Sequence, residues 1–222
     1  MADGLPRLEQ PPSLKDRAYD TIKQAILTLQ LKPGQPLVEH ELARQLGISK
    51  TPVRDALQEL EREGFVTRVL FKGTYVTEVT MKDLREIFQL RAVLEGLAAR
   101  LAAPRFTPQE LDELEHHLAL SEEALAAGDR ARCSRLGQTL HNAIIEKADN
   151  TRLTLIIRNL DDHVQRFRAL SDQISGRLNK SVREHRRILQ ALRRCDPDAA
   201  EQAVRDHLFS VLDDLSASSE EE

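Results

Sequence analysis

The stretch that decides the fold is GISKTPVRDALQELEREGF, residues 47–65. A glycine precedes a Ser-Lys-Thr-Pro run, and a charged segment with helical spacing follows. Val53, Ala56, Leu57 and Leu60 recur at offsets of three and four, which makes one buried face of a helix. Gly64 stops that helix. Pro52 stands near its start, where a missing N–H has no helical partner to lose. Lys50, Thr51 and Arg54 therefore gather at the helix front, off its apolar face. A helix front presents unpaired N–H groups and suits a phosphate or a base edge.

Upstream, Leu14 to Leu29 place Ala18, Ile22, Ala25, Ile26 and Leu29 on one helical face. LKPGQPL, residues 31–37, breaks the pattern with Pro33, Gly34 and Pro36. Val38 to Leu46 is a second short helix with Leu42 and Leu46 inward, closed by Gly47. Downstream, Phe65 to Leu70 and Thr74 to Val79 are rich in Val, Thr and aromatics, with FKGT between them. That is a strand, a tight turn and a strand. Three helices and a hairpin within about 65 residues follow the order of a winged helix-turn-helix. Its third helix would carry Lys50, Thr51 and Arg54 into a major groove. Lys72 and Gly73 at the hairpin tip would reach an adjacent minor groove or backbone. Two blander readings fit the same spacing: a small helical domain with solvated charges, and a winged helix that binds protein.

The segments YDTIKQAIL, LKPGQPLVEHELARQLGISKTPVRDALQELEREGFV and KGTYV together resemble the GntR family of bacterial transcription factors. The resemblance spans residues 14–79. It implies DNA contacts at His40, Lys50, Thr51, Arg54, Lys72 and Gly73. Lys50 stands where the family usually has Arg, and His40 where some members have Arg. Lysine lacks the bidentate fork of arginine, which suits Lys50 to phosphate.

Composition agrees with a mostly helical chain. The 222 residues are 41% hydrophobic and 31% charged, with nine Gly, nine Pro and no Trp. Two cysteines, Cys133 and Cys195, are too few for a disulfide framework and lack metal-finger spacing, which points to a reducing cytoplasm. No apolar run is long enough for a membrane span. The net charge is −4, and residues 13–80 hold ten Lys and Arg against nine Asp and Glu. DNA binding must therefore rest on where charge is placed. Residues 1–12 read as a flexible lead, without the apolar core of a signal peptide. Residues 13–80 read as the winged helix, 81–216 as a helical effector-binding and dimerisation domain, and 217–222 as a frayed acidic tail.

From Met81 the period lengthens. Leu84, Ile87, Phe88, Leu94, Ala98 and Leu101 form one helical face, with Arg91 and Glu95 on the same stripe. Pro104 and Pro108 interrupt it, and Leu111, Leu114, Leu118 and Leu125 follow. Asp129 reads as the N-cap of a helix carrying Leu136, Leu140, Ile144 and Ala148. Leu153, Ile156, Ile157, Leu160, Val164, Phe167 and Leu170 mark another. Two more span 180–193 and 197–215. The fold class is mainly α: the winged helix, then an all-α bundle of about six helices.

His141, His185 and His207 each fall on the inward side of a separate helix, whereas His116 and His117 read as surface and His163 fits either place. A single inward histidine is usually a core residue. Three from three helices suggest a shared polar centre, and neutral imidazoles suit zinc or nickel rather than magnesium or calcium. Glu184 reads as pointing away from them, so the set has no evident general base. Arg91 admits two readings: a hold on an effector carboxylate, or an ion pair with Glu95.

LRAVLEGLAARLAA, LHNAIIEKADN, EHRRILQAL and DPDAAEQAVRDHL resemble the effector domain of the FadR branch of the GntR family, over about residues 83–215. Many members of that branch hold a metal with one Asp and three His. The resemblance puts the histidines at His141, His185 and His207 and the Asp at position 137, which is Gly137 here. Gln138 is nearby, and water and an effector carboxylate would fill the open positions. The chain is thus expected to be a cytoplasmic, homodimeric, ligand-responsive regulator, a repressor of a two-fold symmetric DNA operator, that senses a small organic acid and is not an enzyme. A metallohydrolase built on the three histidines and a helical adaptor are the rival readings.

Overall fold

A computed structural model describes residues 13–78, 80–171, 174 and 176–220, with side chains left out at 166–171 and 218–220. The chain divides into two compact units, Met1–Val79 and Thr80–Glu222.

In the first unit α1 spans Leu14–Leu27 and opens on a capping box of Ser13 and Asp16. Such a box satisfies two N–H groups that the helix itself cannot. Ile22, Ile26 and Leu27 are buried. Leu29, expected inward, instead lies beyond the helix end with φ 60 and is exposed. The segment read as a mere break contains β1, Pro36–Leu37, which pairs antiparallel with β3. α2 is Glu39–Leu46, closed by Gly47 at φ 66, a left-handed cap that glycine adopts without Cβ strain. α3 is Lys50–Arg62. β2, Val66–Val69, and β3, Gly73–Val76, form the hairpin, and the sheet order is β1-β3-β2. The core joins Ile26, Val53, Leu57, Leu60 and Phe65. Phe65, expected in the strand, precedes it and is fully buried, a contribution of about 1.5–3 kcal/mol.

The second unit is helical. α4 runs Met81–Ala102 and α5 Pro108–Ala126, each with a capping box, from Thr80 with Asp83 and Thr107 with Glu110, and a 3-10 turn at Ala103–Arg105 separates them. α6 is Arg130–Lys147, and Asp129 caps it as its spacing suggested. α7 is Thr151–Ser171, α8 Arg177–Arg193 and α9 Pro197–Glu220. α9 therefore continues past 217, where a frayed tail was expected; residues 221–222 and the lead 1–12 lie outside the described residues. α4 packs on α9, α5 on α6 and α8 on α9. Gly96 permits the first contact, since a Cβ there would meet Arg205 Cγ at 2.9 Å. On α7, Leu153, Ile157 and Val164 are buried as expected, Ile156 is 51% exposed, and the side chains of Phe167 and Leu170 are outside the described ones.

Candidate nucleic-acid interface and candidate metal centre

Ser49 caps α3 in an extended conformation without a side-chain hydrogen bond, and no acid stands in the first turn. The leading N–H groups of α3 are left to an outside acceptor, and the helix dipole favours an anion there. Lys50, Thr51 and Arg54 are exposed. Arg54 already has a partner: Nε donates to Glu39 Oε1 at 3.2 Å, and a terminal nitrogen donates to Glu39 Oε2 at 2.9 Å. The fork fixes the direction of the guanidinium. The Glu39 carboxyl is held below its usual value by the Arg54 bond, against some burial, and then by the charges of Arg54, Arg68 and Lys50. One acid thus sits among three cations. Glu39 was missed from sequence because it lies on another helix, 15 residues from Arg54. His40 is exposed on α2, and Lys72 and Gly73 are exposed at the hairpin tip, with Gly73 at φ 111.

In the second unit α6, α8 and α9 each turn one histidine inward. His141, His185 and His207 are buried, and one ligand atom from each lies within 4.8 Å of the others. Two of the rings are held from behind. Arg91 Nε donates to Glu95 Oε1 at 2.8 Å, and His141 donates Nδ1–H to Glu95 Oε2 at 3.0 Å. On α8 and α9, Arg177 and His207 Nδ1 both donate to Glu184 Oε2, the latter at 2.8 Å, and Ser210 donates to Glu184 Oε1 at 2.6 Å. Each Arg–Glu–His relay protonates Nδ1 and leaves Nε2 as the ring's lone-pair nitrogen. Glu184 does not point away, as expected from sequence. One step from His185 turns it off that residue's face, but onto the face that meets α9.

Burial pushes Glu95 up, yet the Arg91 charge and the His141 bond bring it down to about 2. Glu184 behaves alike: burial opposes, and His207, Ser210 and Arg177 lower it to about 2. Burial holds His185 well below the usual imidazole value, reinforced by His207, His141 and Arg177. His207 is lowered to about 4, chiefly by burial, despite its bond to Glu184. His185 and His207 are therefore held as neutral imidazoles, the form a metal binds.

A cavity of about 80 Å³ opens on this centre, lined by Arg91, Gly137, His141, Arg177, His185 and His207 among others. It has room for an ion with a few water-sized ligands. With His141 Nε2 an acceptor, His185 Nε2 donates to it at 3.2 Å, and the buried His185 Nδ1 has no hydrogen-bond partner. The place of the family's Asp is filled by a ring: a Cβ on Gly137 would stand 2.9 Å from His185 Cε1. The donor set fits a metal through three nitrogens, not four ligands.

Arg91, the expected effector residue, lies buried with Glu95 and with Asp161 Oδ1 at 3.3 Å, so the ion pair raised from sequence is present. Arg177 was missed. It is buried between Ser181, Ser210, Asp214 and Glu184; the sequence pattern starts this helix at residue 180, whereas α8 begins at Arg177. His116 is exposed, while His117 and His163 are half-buried.

Residues 14–76 match the family model of bacterial regulatory proteins, gntR family, and residues 86–210 match the FCD domain. The chain belongs to the GntR family. It is 30% identical over 202 residues, 90% of each chain, to the uncharacterized HTH-type transcriptional regulator YdhC of Bacillus subtilis. It is 33% identical over 200 residues to the "Probable D-xylose utilization operon transcriptional repressor" of Paenarthrobacter nicotinovorans, covering 90% of this chain and 88% of the other. Among solved structures, E. coli McbR/YncC superposes with a TM-score of 0.69 at 27% identity, covering 91% of this chain and 98% of that one. The GntR regulator thus pairs a DNA-binding winged helix, which contains α3 and the hairpin, with an FCD effector domain that contains the three histidines. No described helix is long and apolar enough to cross a membrane.

Proposed function

We propose that this GntR regulator acts as a cytoplasmic homodimer that represses transcription from a two-fold symmetric operator and responds to a small organic acid. His40, Lys50, Thr51, Arg54, Lys72 and Gly73 are the residues assigned to DNA. Arg54 reads a base with the side of its guanidinium turned away from Glu39, which keeps it oriented, and Lys50 and Thr51 take phosphates. Relatives described as repressors support the sign of the response. Exposed Leu90, Val93 and Leu97 make an apolar stripe on α4, a surface suited to a second copy.

The observation that carries the sensing half is the pair of Arg–Glu–His relays that bind Nδ1 of His141 and His207 and turn their Nε2 atoms toward His185 and the cavity. Zinc or nickel would be held by His141, His185 and His207 and would supply an electrophilic anchor for an effector carboxylate. Arg91 would add a second hold on that carboxylate. An effector switches the regulator only if it favours one arrangement of the DNA-binding heads. Sensing fits the site better than hydrolysis, because Glu95 and Glu184 are committed to histidine and arginine on the outer side of the rings.

The test begins with a duplex enriched from a random-sequence library by the parent protein, followed by anisotropy titrations at two salt concentrations. Binding should weaken steeply with salt as phosphates are neutralised. Arg54→Ala should lose about 1–3 kcal/mol. A folded Arg54→Ala variant with parental affinity would overturn the assignment of α3 as the reading helix.

A further inference from the structure

The hairpin tip has a feature that neither the fold nor the polar DNA contacts use. Lys72 N–H closes a turn on Val69 O at 3.0 Å, which puts Leu70 and Phe71 at its apex. Leu70 is 77% exposed and Phe71 98% exposed. Phe71 also has φ 63. A turn with positive φ at its third residue favours Gly or Asn, and a bulky residue there is a strained outlier. Strain and an uncovered aromatic ring both oppose stability of the unit itself.

The tip is nevertheless held firmly. Four residue pairs from Val66↔Val76 to Val69↔Gly73 form its stem, and Tyr75 Oη donates to Lys72 O at 3.0 Å. Its charge is one-sided: Arg68 and Lys72 flank the apex, and no acid occurs from Val66 to Thr77. The groove behind the tip is lined by Arg68, Leu70, Phe71 and Lys72 together with Glu39, the residue that orients Arg54. An apolar apex between two cations, continuous with the DNA-reading face, matches the chemistry of a polyanion with stackable rings.

We propose that Leu70 and Phe71 form a wedge that enters the minor groove beside the α3 contact, with Phe71 inserted at a base step and Arg68 and Lys72 on the flanking phosphates. Insertion of an apolar side chain unstacks a step and kinks the duplex. The wedge rests on the DNA-binding reading above, and adds bending to it.

The chain has no tryptophan, so Phe71→Trp installs a single tryptophan at the tip, excited at wavelengths where Tyr19 and Tyr75 do not absorb. On saturation with the enriched duplex its emission should be quenched by stacking. End-to-end energy transfer across the duplex should report a bend with the parent and a smaller bend with Phe71→Ala. The alanine variant should bind roughly 5- to 100-fold more weakly, the range for losing one aromatic–base stack. Phe71→Gly gives a sharper sign. It should melt higher than the parent, because it relieves the positive φ, and still bind and bend DNA less.

Unchanged emission at saturation, or parental affinity and bend in Phe71→Ala, overturns the wedge while leaving DNA binding intact. Emission already shifted to the blue without DNA also overturns it, since protein would then cover the tip. If the parent enriches no duplex, the DNA-binding reading falls and the wedge with it.

Discussion

Gly137 separates this three-histidine centre from a four-ligand one, and replacing it should have opposite effects with and without metal. A Cβ at this position would lie 2.9 Å from His185 Cε1 and 3.3 Å from its Nδ1. Alanine inside a helix gains about 0.5–1 kcal/mol over glycine. Crowding a packed interior costs about 1–3 kcal/mol. The His185 ring has little freedom to yield, because its Nε2 is engaged by His141, which is itself tied to Glu95. Crowding therefore wins. Gly137→Ala should lose about 1–2 kcal/mol net, a melting decrease of about 2–8 °C for a chain of this size. Gly137→Asp adds a buried carboxylate and should melt lower still in chelator. Zinc should reverse that order. A metal at a hundred times its dissociation constant stabilises by about 2.7 kcal/mol, and a fourth ligand lowers that constant. The assay is calorimetry of parent, alanine and aspartate forms in chelator and in zinc. If Gly137→Ala melts above the parent, as an uncrowded helix glycine would allow, and zinc leaves the order unchanged, His185 does not fill this place.

Two further outcomes follow from the relays. Glu184→Gln leaves Arg177 paired with Asp214 but removes its second carboxylate and weakens the hold on His207; it should cost about 1–3 kcal/mol and lower zinc affinity about 10- to 100-fold, both readable by zinc titration with thermal melts. The pH profile of the metal-free protein is fixed in sign by His207, whose folded value of about 4 lies below the ordinary 6.5. The unfolded chain takes up the proton first, so stability is full above about pH 6.5 and falls by about 3 kcal/mol as pH drops toward 4. His185 acts in the same direction, and the depressed Glu95 and Glu184 continue the loss below about pH 4.5. A flat melting temperature between pH 7.5 and 5 would contradict neutral buried imidazoles.

Local rules made much of this molecule legible. Asp129 before an apolar period marked the start of α6, Gly47 marked the α2–α3 turn, and Val53, Leu57 and Leu60 marked the inner face of α3, because caps and periods act within a few residues. The convergence of His141, His185 and His207 was also legible, since each shares its helix face with core aliphatics. What stayed hidden depends on contacts between elements. Glu95 and His141 are 46 residues apart, Glu184 and His207 are 23 apart, and Glu39 reaches Arg54 from another helix. Leu29 and Ile156 carried the right spacing but lie beyond a helix end or on an open face. β1 was hidden because two residues, one of them proline, carry no period; its pairing with β3 is set by the sheet.

Native mass spectrometry of the whole chain, purified without chelator and mixed with the enriched duplex, counts protein, metal and DNA in one spectrum. Two chains on one duplex with two metal ions are expected, and His185→Ala should lose the metal. A monomer that carries neither metal nor duplex would contradict a metal-dependent, two-fold DNA reader.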